Sequence, residues 1–311
     1  MPNQLLLAAS RSPRTRTAVS RFRLTRRLVD RFVAGEDEQQ VVPVADRLVR
    51  AGLTVTIDHL GEDTRTAQQA RATRDAYTAL LAALHGAGLA AAAEVSVKLS
   101  ALGAAVPGDG SRYADEYAHD VCAAAAAAGT TVTFDMEDHT TVDTTLSLVG
   151  RLRLQFPWVG VAVQTYLRRT AADCRDLAYP GSRVRLVKGA YAEPASVLVR
   201  NAREVDAAYR ACLETLLRAG AYPMVATHDP ALIAHASALT GELSVPSDGY
   251  EFQMLYGVRS QEQLRLAQAG NRMRVYLPYG DDWYGYFMRR LAERPANLLL
   301  LTRSLLPGAH R

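Results

Sequence analysis

Arg183-Val-Arg-Leu-Val-Lys188 is a short β-branched run that ends on a cation, and a long helical stretch, residues 194–219, follows it. A strand followed by a helix is the building unit of a parallel sheet. The same unit recurs along the chain. Strand-like runs cover residues 53–58, 94–99, 131–136, 159–164, 183–188, 222–227, 250–253 and 274–277. Helical stretches at 66–83, 111–128, 142–153, 171–177, 194–219, 230–239, 260–268 and 281–292 follow them in turn. Eight alternating pairs predict an α/β chain closed as a (βα)8 TIM-type barrel. Residues 12–50 read as two or three extra N-terminal helices, and the final helix is expected over the barrel mouth. The expected division is an N-terminal helical segment, residues 1–45, and a barrel catalytic domain, residues 46–311.

The 311 residues suit one barrel of this kind. Apolar residues make up 49% of the chain and charged residues 22%, the balance of an ordinary globular core. The three cysteines, Cys122, Cys174 and Cys212, are far apart in sequence and form no C-x-x-C pair. That argues for a reducing compartment and against a disulfide framework or a cysteine metal site. The net charge is +4, and it is concentrated at the N-terminus: Arg11, Arg14, Arg16, Arg21, Arg23, Arg26, Arg27 and Arg31 stand against the single acid Asp30. Such a run fits contact with an anionic membrane surface, a solvated helix face or a transit-type peptide. No run of 18 apolar residues is present and no secretory signal is visible, so no membrane span is expected.

In a barrel the C-terminal ends of the strands carry the active site. Polar residues fall there regularly: Asp58, Lys98, Asp135, Gln164, Arg185 with Lys188, His228, Gln253 and Tyr276. Lys98 and Asp135 end neighbouring strands and are expected to pair across the mouth. Gly189-Ala190 lets the backbone approach a ligand while Arg185 and Lys188 add positive charge, which suits a phosphate- or flavin-bearing cofactor. No G-x-G-x-x-G follows any strand, so the barrel mouth must bind any cofactor. Pro230 is a first-turn proline, which sets Thr227 and His228 near a helix N-terminus where phosphate is favoured. In the last helix Tyr286, Arg289, Arg290 and Glu293 share one face through steps of three and four. Paired arginines grip a carboxylate in a forked geometry that lysine lacks.

Taken together these residues resemble the proline dehydrogenase family. The resemblance runs from Phe32-Val-Ala-Gly-Glu36 to Asn297. It rests on Val97-Lys-Leu-Ser100, Phe134-Asp-Met-Glu137, Gln164-Thr-Tyr-Leu-Arg168, Arg185-Leu-Val-Lys-Gly-Ala-Tyr191, Ala226-Thr-His228, Glu251-Phe-Gln-Met-Leu-Tyr-Gly257 and Tyr276-Leu-Pro-Tyr-Gly280, with Arg289-Arg290 and Glu293 beyond. It implies an FAD-dependent oxidation of L-proline to Δ1-pyrroline-5-carboxylate, with a membrane quinone as electron acceptor and no nucleic-acid partner. It also implies Asp135 and Arg185 as catalytic residues, Arg185 near flavin N5. Lys98, Arg289 and Arg290 would bind the substrate carboxylate, and Tyr276 and Tyr286 would pack on its ring. Met136, Gln164, Lys188, Gly189, Ala190, Tyr191, Thr227, His228 and Gln253 would contact FAD. The implied location is cytoplasmic or peripheral at the inner membrane face. Asp229 stands where the family often has Asn.

Two other readings compete. A metal-dependent lyase or hydrolase would use Asp135, Glu137, Asp138 and His139 as ligands. A non-catalytic barrel would bind an amino acid or a membrane partner without turning it over.

Overall fold

The structure is a computed structural model and describes residues 29–287. Helix α1 (Glu38–Arg50) leads into β1 (Thr54–His59). There follow α2 (Ala67–Gly86), β2 (Ala93–Val97), α3 (Gly110–Ala128), β3 (Val132–Phe134), α4 (Val142–Arg153), β4 (Gly160–Gln164), α5 (Thr170–Asp176) and β5 (Arg183–Val187). The chain continues through α6 (Ala202–Arg218), β6 (Tyr222–Ala226), α7 (Pro230–Glu242), β7 (Glu251–Leu255), α8 (Ser260–Gln268) and β8 (Met273–Tyr279). A last helix begins at residue 283. The eight strands pair in sequence order and close, β8 lying parallel to β1 with Thr54 opposite Arg274 and His59 opposite Tyr279. The fold is the expected (βα)8 barrel.

Side-chain alternation explains how the strands serve two layers. Val95-Ser96-Val97, Val132-Thr133-Phe134, Val184-Arg185-Leu186 and Val275-Tyr276-Leu277 alternate apolar with polar residues, and successive strand residues point to opposite faces. The apolar set packs with Leu80, Leu84, Val121, Leu148, Leu213 and Leu216 from the helices in one continuous core. Each fully buried Leu, Ile or Val there stabilises the fold by about 1.5–3 kcal/mol. The polar set faces the barrel interior. Arg185 of β5 reaches Ser96 of β2, Thr56 of β1 and Gln253 of β7, contacts that only cross the inside of a closed sheet. Barrel interiors are ordinarily filled by bulky branched residues, so this polar filling is unusual.

Two features shape the mouth. Residues 29–35 lie beside the end of β8: the Ala34 N–H donates to the Pro278 carbonyl at 2.8 Å and the Gly280 N–H to the Gly35 carbonyl at 2.9 Å. Val29, Phe32 and Val33 pack there with Leu60, Tyr284, Tyr286 and Phe287 in a second, smaller cluster. Gly257, at φ +72°, lies so close to this segment that a β-carbon would strike the Arg31 carbonyl. The arginines from Arg11 to Arg27, and the predicted helix from residue 288 onward, lie outside the described residues. Among the described residues no helix is long and apolar enough to cross a membrane.

The helix expected from residue 194 starts only at Ala202. Asn201 caps it, its side-chain oxygen accepting the Glu204 N–H at 3.1 Å. Residues ahead of the cap are engaged elsewhere: the Val197 carbonyl accepts the Arg168 N–H and the Val199 N–H donates to the Tyr166 carbonyl, both at 2.9 Å. Backbone groups tied to the β4–α5 connection cannot also close a helical turn.

Candidate active site

The site is the upper end of a charged column that fills the barrel. At its base Glu94 of β2 is almost fully buried and touches Arg183 at 2.5 Å, Arg185 at 3.5 Å and Arg274 at 3.8 Å. Thr56, Thr131 and Thr133 donate their hydroxyls to the same carboxylate. Burial by itself would raise the Glu94 pKa, but Arg274, Arg183 and Arg185 outweigh it and hold the group well below the usual carboxylate range. Glu251 of β7 accepts from Arg274 at 2.7 Å and from the Tyr222 hydroxyl at 3.0 Å. A buried charge is tolerable only when paired and hydrogen-bonded in this way.

Arg185 carries the column upward. Its Nε donates to Gln253 Oε1 at 2.7 Å, and its Nη1 donates to Ser96 Oγ at 2.6 Å and to Asp135. The Gln253 amide cannot turn away from Arg185 without losing its own bond to Glu251 at 2.6 Å. Above Arg185, the Tyr276 hydroxyl donates to the second Asp135 oxygen at 2.7 Å, and its ring stands 5.4 Å from the guanidinium. Burial and the Asp135 charge push the Tyr276 phenol well above its usual range, so it stays protonated and keeps donating.

Lys98 does not pair with Asp135 as expected. Its ammonium donates to both Asp58 oxygens, at 3.1 and 2.8 Å. The register explains this: Asp58 lies opposite Ser96, two residues before Lys98, so the pair meets diagonally across β1 and β2. Burial opposes the Lys98 charge, yet Asp58 and then Asp135 hold it above the ordinary lysine range. The sequence marks Asp58 as a polar strand end but carries no local sign that it is the partner of Lys98. The base residues Glu94, Glu251, Arg183 and Arg274 are not among the polar strand ends that the sequence points to. Their signal lies in the alternation: Glu94 stands four residues before Lys98, and Arg183, Glu251 and Arg274 stand two before Arg185, Gln253 and Tyr276, on the same inward face.

The remaining predicted residues cluster at the ends of β3 to β7. Met136 and Gln164 are buried, and Gln164 Nε2 donates to the Glu137 carbonyl at 2.7 Å. Lys188, about a third exposed, bridges Asp206 at 2.6 Å and Asp229 at 2.8 Å. Gly189 adopts φ +114° with the Tyr166 ring packed where a side chain would sit. Ala190 and Tyr191 are half-buried beside it. Thr227 Oγ1 accepts the Asp229 N–H at 3.1 Å, and His228 Nε2 accepts the Leu255 N–H at 2.9 Å, which leaves the ring proton on Nδ1. Asp229 caps α7 and Pro230 opens it. Tyr286 packs in the small cluster with Phe32 and Phe287. Arg289, Arg290 and Glu293 lie outside the described residues.

The residues of the metal reading diverge. Asp135 turns to Arg185, Glu137 accepts from Ser100, Asp138 accepts from Thr140, and His139 pairs with Glu193. Among the described residues no three His, Cys, Asp or Glu gather to hold a metal ion.

Comparison with known proteins bears on this arrangement. The family model described as Proline dehydrogenase matches residues 41–302. Proline dehydrogenase 1 of Bacillus subtilis is 38% identical over 276 residues, covering 89% of this chain and 90% of that protein. Proline dehydrogenase of Deinococcus radiodurans is 39% identical over 285 residues, covering 90% and 91%. A solved structure, proline utilization A (PutA) from Bdellovibrio bacteriovorus inactivated by N-propargylglycine, superposes with a TM-score of 0.78 at 25% identity. It covers 90% of this chain, and this chain spans only 33% of that much longer protein. With the family model, nearly full-length relatives and the barrel fold in agreement, this chain belongs to the proline dehydrogenase family of oxidoreductases.

Proposed function

We propose that this protein oxidises L-proline to Δ1-pyrroline-5-carboxylate with FAD as its cofactor and a membrane quinone as the final acceptor. The observation that carries this reading is the Asp135–Arg185–Tyr276 cluster beside the Lys188-Gly189-Ala190 bend. Cation, hydrogen-bond donors and a half-buried backbone bend come together there at the strand ends.

The donor set suits FAD. Lys188 and the bend at Gly189, Ala190 and Tyr191 would hold its anionic part, with Thr227 and His228 at the start of α7. Met136, Gln164 and Gln253 would line the ring, and Arg185 would stand beside it. Gln253 would reach the ring only at the edge of its contacts with Arg185 and Glu251. When bound, FAD supplies a two-electron acceptor, chemistry that no side chain offers.

The chain's own residues bind and orient. Lys98, held protonated by Asp58, would meet the proline carboxylate together with Arg289 and Arg290. Tyr276 and Tyr286 would pack on the pyrrolidine ring. Such orientation can be worth about 7–11 kcal/mol of barrier. The substrate amine must be neutral when the neighbouring C–H bond breaks, because positive charge on nitrogen opposes that step. Asp135 already accepts from Arg185 and Tyr276, which favours a role in fixing those two groups over one as the base. The arginine-rich N-terminal segment fits contact with the membrane that holds the quinone.

An anaerobic absorption spectrum of the purified protein, taken before and after adding L-proline, tests this reading. A flavin band that bleaches is expected. A flavin band that persists would remove proline as the substrate, and absence of flavin after reconstitution would remove the cofactor as well.

A further inference from the structure

We propose that Glu193 is a positioning residue that holds the Lys188-Gly189-Ala190-Tyr191 bend in the shape that receives the cofactor. The proposal rests on the FAD reading above.

The segment between β5 and α6 contains no helix or strand for over a dozen residues. Connections that long are ordinarily variable in shape. This one is tied at three points. Lys188 is held by Asp206 and Asp229 at its start. Val197 and Val199 bond to the backbone of the β4–α5 connection near its end. Between them the Glu193 carboxylate, 1% exposed, accepts from the His139 N–H at 2.9 Å, from His139 Nδ1 at 2.5 Å and from the Tyr166 hydroxyl at 3.2 Å.

Of these three ties, that of Glu193 joins three strand-end connections at once: His139 follows β3, Tyr166 follows β4 and Glu193 follows β5. It also acts on the bend through a second route. The Tyr166 ring fills the space beside Gly189, and Glu193 anchors that ring by its hydroxyl. A carboxylate so thoroughly removed from water must be satisfied by fixed donors, and these donors exist only when the three connections are correctly placed. The bend is therefore ordered before a ligand arrives, which lowers the entropy lost on binding. Neither Glu193 nor His139 needs to touch the ligand for this to work.

The test is titration of flavin-stripped protein with FAD, followed by fluorescence, for the wild type, Glu193→Gln and Tyr166→Phe. Glu193→Gln should weaken FAD binding about ten- to a hundredfold, because it removes charge from three hydrogen bonds. Tyr166→Phe, a milder change, should weaken it about threefold to tenfold. The melting temperature of each stripped protein separates positioning from general stability. Weaker FAD binding with a near-wild-type melting temperature supports the proposal. A lower melting temperature with unchanged FAD binding gives Glu193 a purely structural role and overturns it. Should Glu193→Gln fail to fold, Tyr166→Phe decides alone: wild-type FAD affinity there overturns the proposal. A wild-type stripped protein that takes up no FAD brings down the cofactor reading and this proposal together, whereas unchanged variants beside a wild type that does bind FAD bring down this proposal alone.

Discussion

The base and the mouth of the barrel interior are built from the same residue types and use them differently. At the base Glu94 and Glu251 are locked against Arg183 and Arg274, and the two acids are at most 1% exposed. At the mouth the Asp135 side chain is 14% exposed and Lys188 37%, and Arg289 and Arg290 are expected to join them from the last helix. The base network is closed on itself; at the mouth Asp135 and Lys188, although paired, stay partly open to solvent, where a ligand would reach them. Arg185, 3% exposed, belongs to both, with Glu94 below it and Asp135 above. On the proposed function, position along a strand rather than residue type separates structural from functional charge in this fold, the enclosed Lys98–Asp58 pair at the mouth included.

The comparison is most easily broken at the base. Glu94→Ala leaves three arginines without their shared partner and should cost about 3–5 kcal/mol of stability, read as a shifted denaturant midpoint. A loss under 1 kcal/mol would mean that the base is not a closed network. At the mouth, Arg290→Lys should raise the proline KM about tenfold or more while FAD stays bound, since the forked contact to a carboxylate is lost. An unchanged KM would remove Arg290 from the carboxylate grip. Tyr276→Phe deletes a hydrogen bond to a charged group, and kcat/KM should fall about tenfold with little change in melting temperature. A large stability loss instead would move Tyr276 to the structural side of the comparison.

Two smaller effects sharpen it. Tyr276→Ser should improve turnover of 4-hydroxyproline relative to proline by clearing space for the extra hydroxyl; no improvement would dismiss that steric role. The acid limb of the stability curve reports on the base. The Glu94 pKa is depressed in the folded protein, so its contribution is present above the unfolded glutamate value near 4.3 and is lost as pH falls toward the folded value. Glu94→Gln should flatten stability below about pH 4 relative to wild type. An unaltered acid limb would show that other carboxylates govern it.

Much of the barrel was legible because its signals are local. The strands at 183–188 and 222–227 were each placed within one residue of the observed Arg183–Val187 and Tyr222–Ala226. The helices at 142–153 and 260–268 coincide with Val142–Arg153 and Ser260–Gln268. Residues 194–201 were misread as helix because their competing partners, Tyr166 and Arg168, lie on another connection. The last strand ran on to Tyr279, past Pro278, because β1 continues beside it to His59. The site was legible only as a set of strand ends. Asp58 stood in that set, yet nothing local marked it as the partner of Lys98.

By itself the sequence determined the eightfold strand–helix repeat, the apolar faces that pack the core, the polar strand ends and the motifs that mark the family. These depend on periodicity and on neighbours a few residues apart. The tertiary structure alone decided the partners. Asp58 and Lys98 are 40 residues apart, His139 and Glu193 are 54 apart, and Asp135 and Tyr276 are 141 apart. Which of several inward charges meet is set by strand register and by closure of the barrel, and those emerge only when all eight strands are in place.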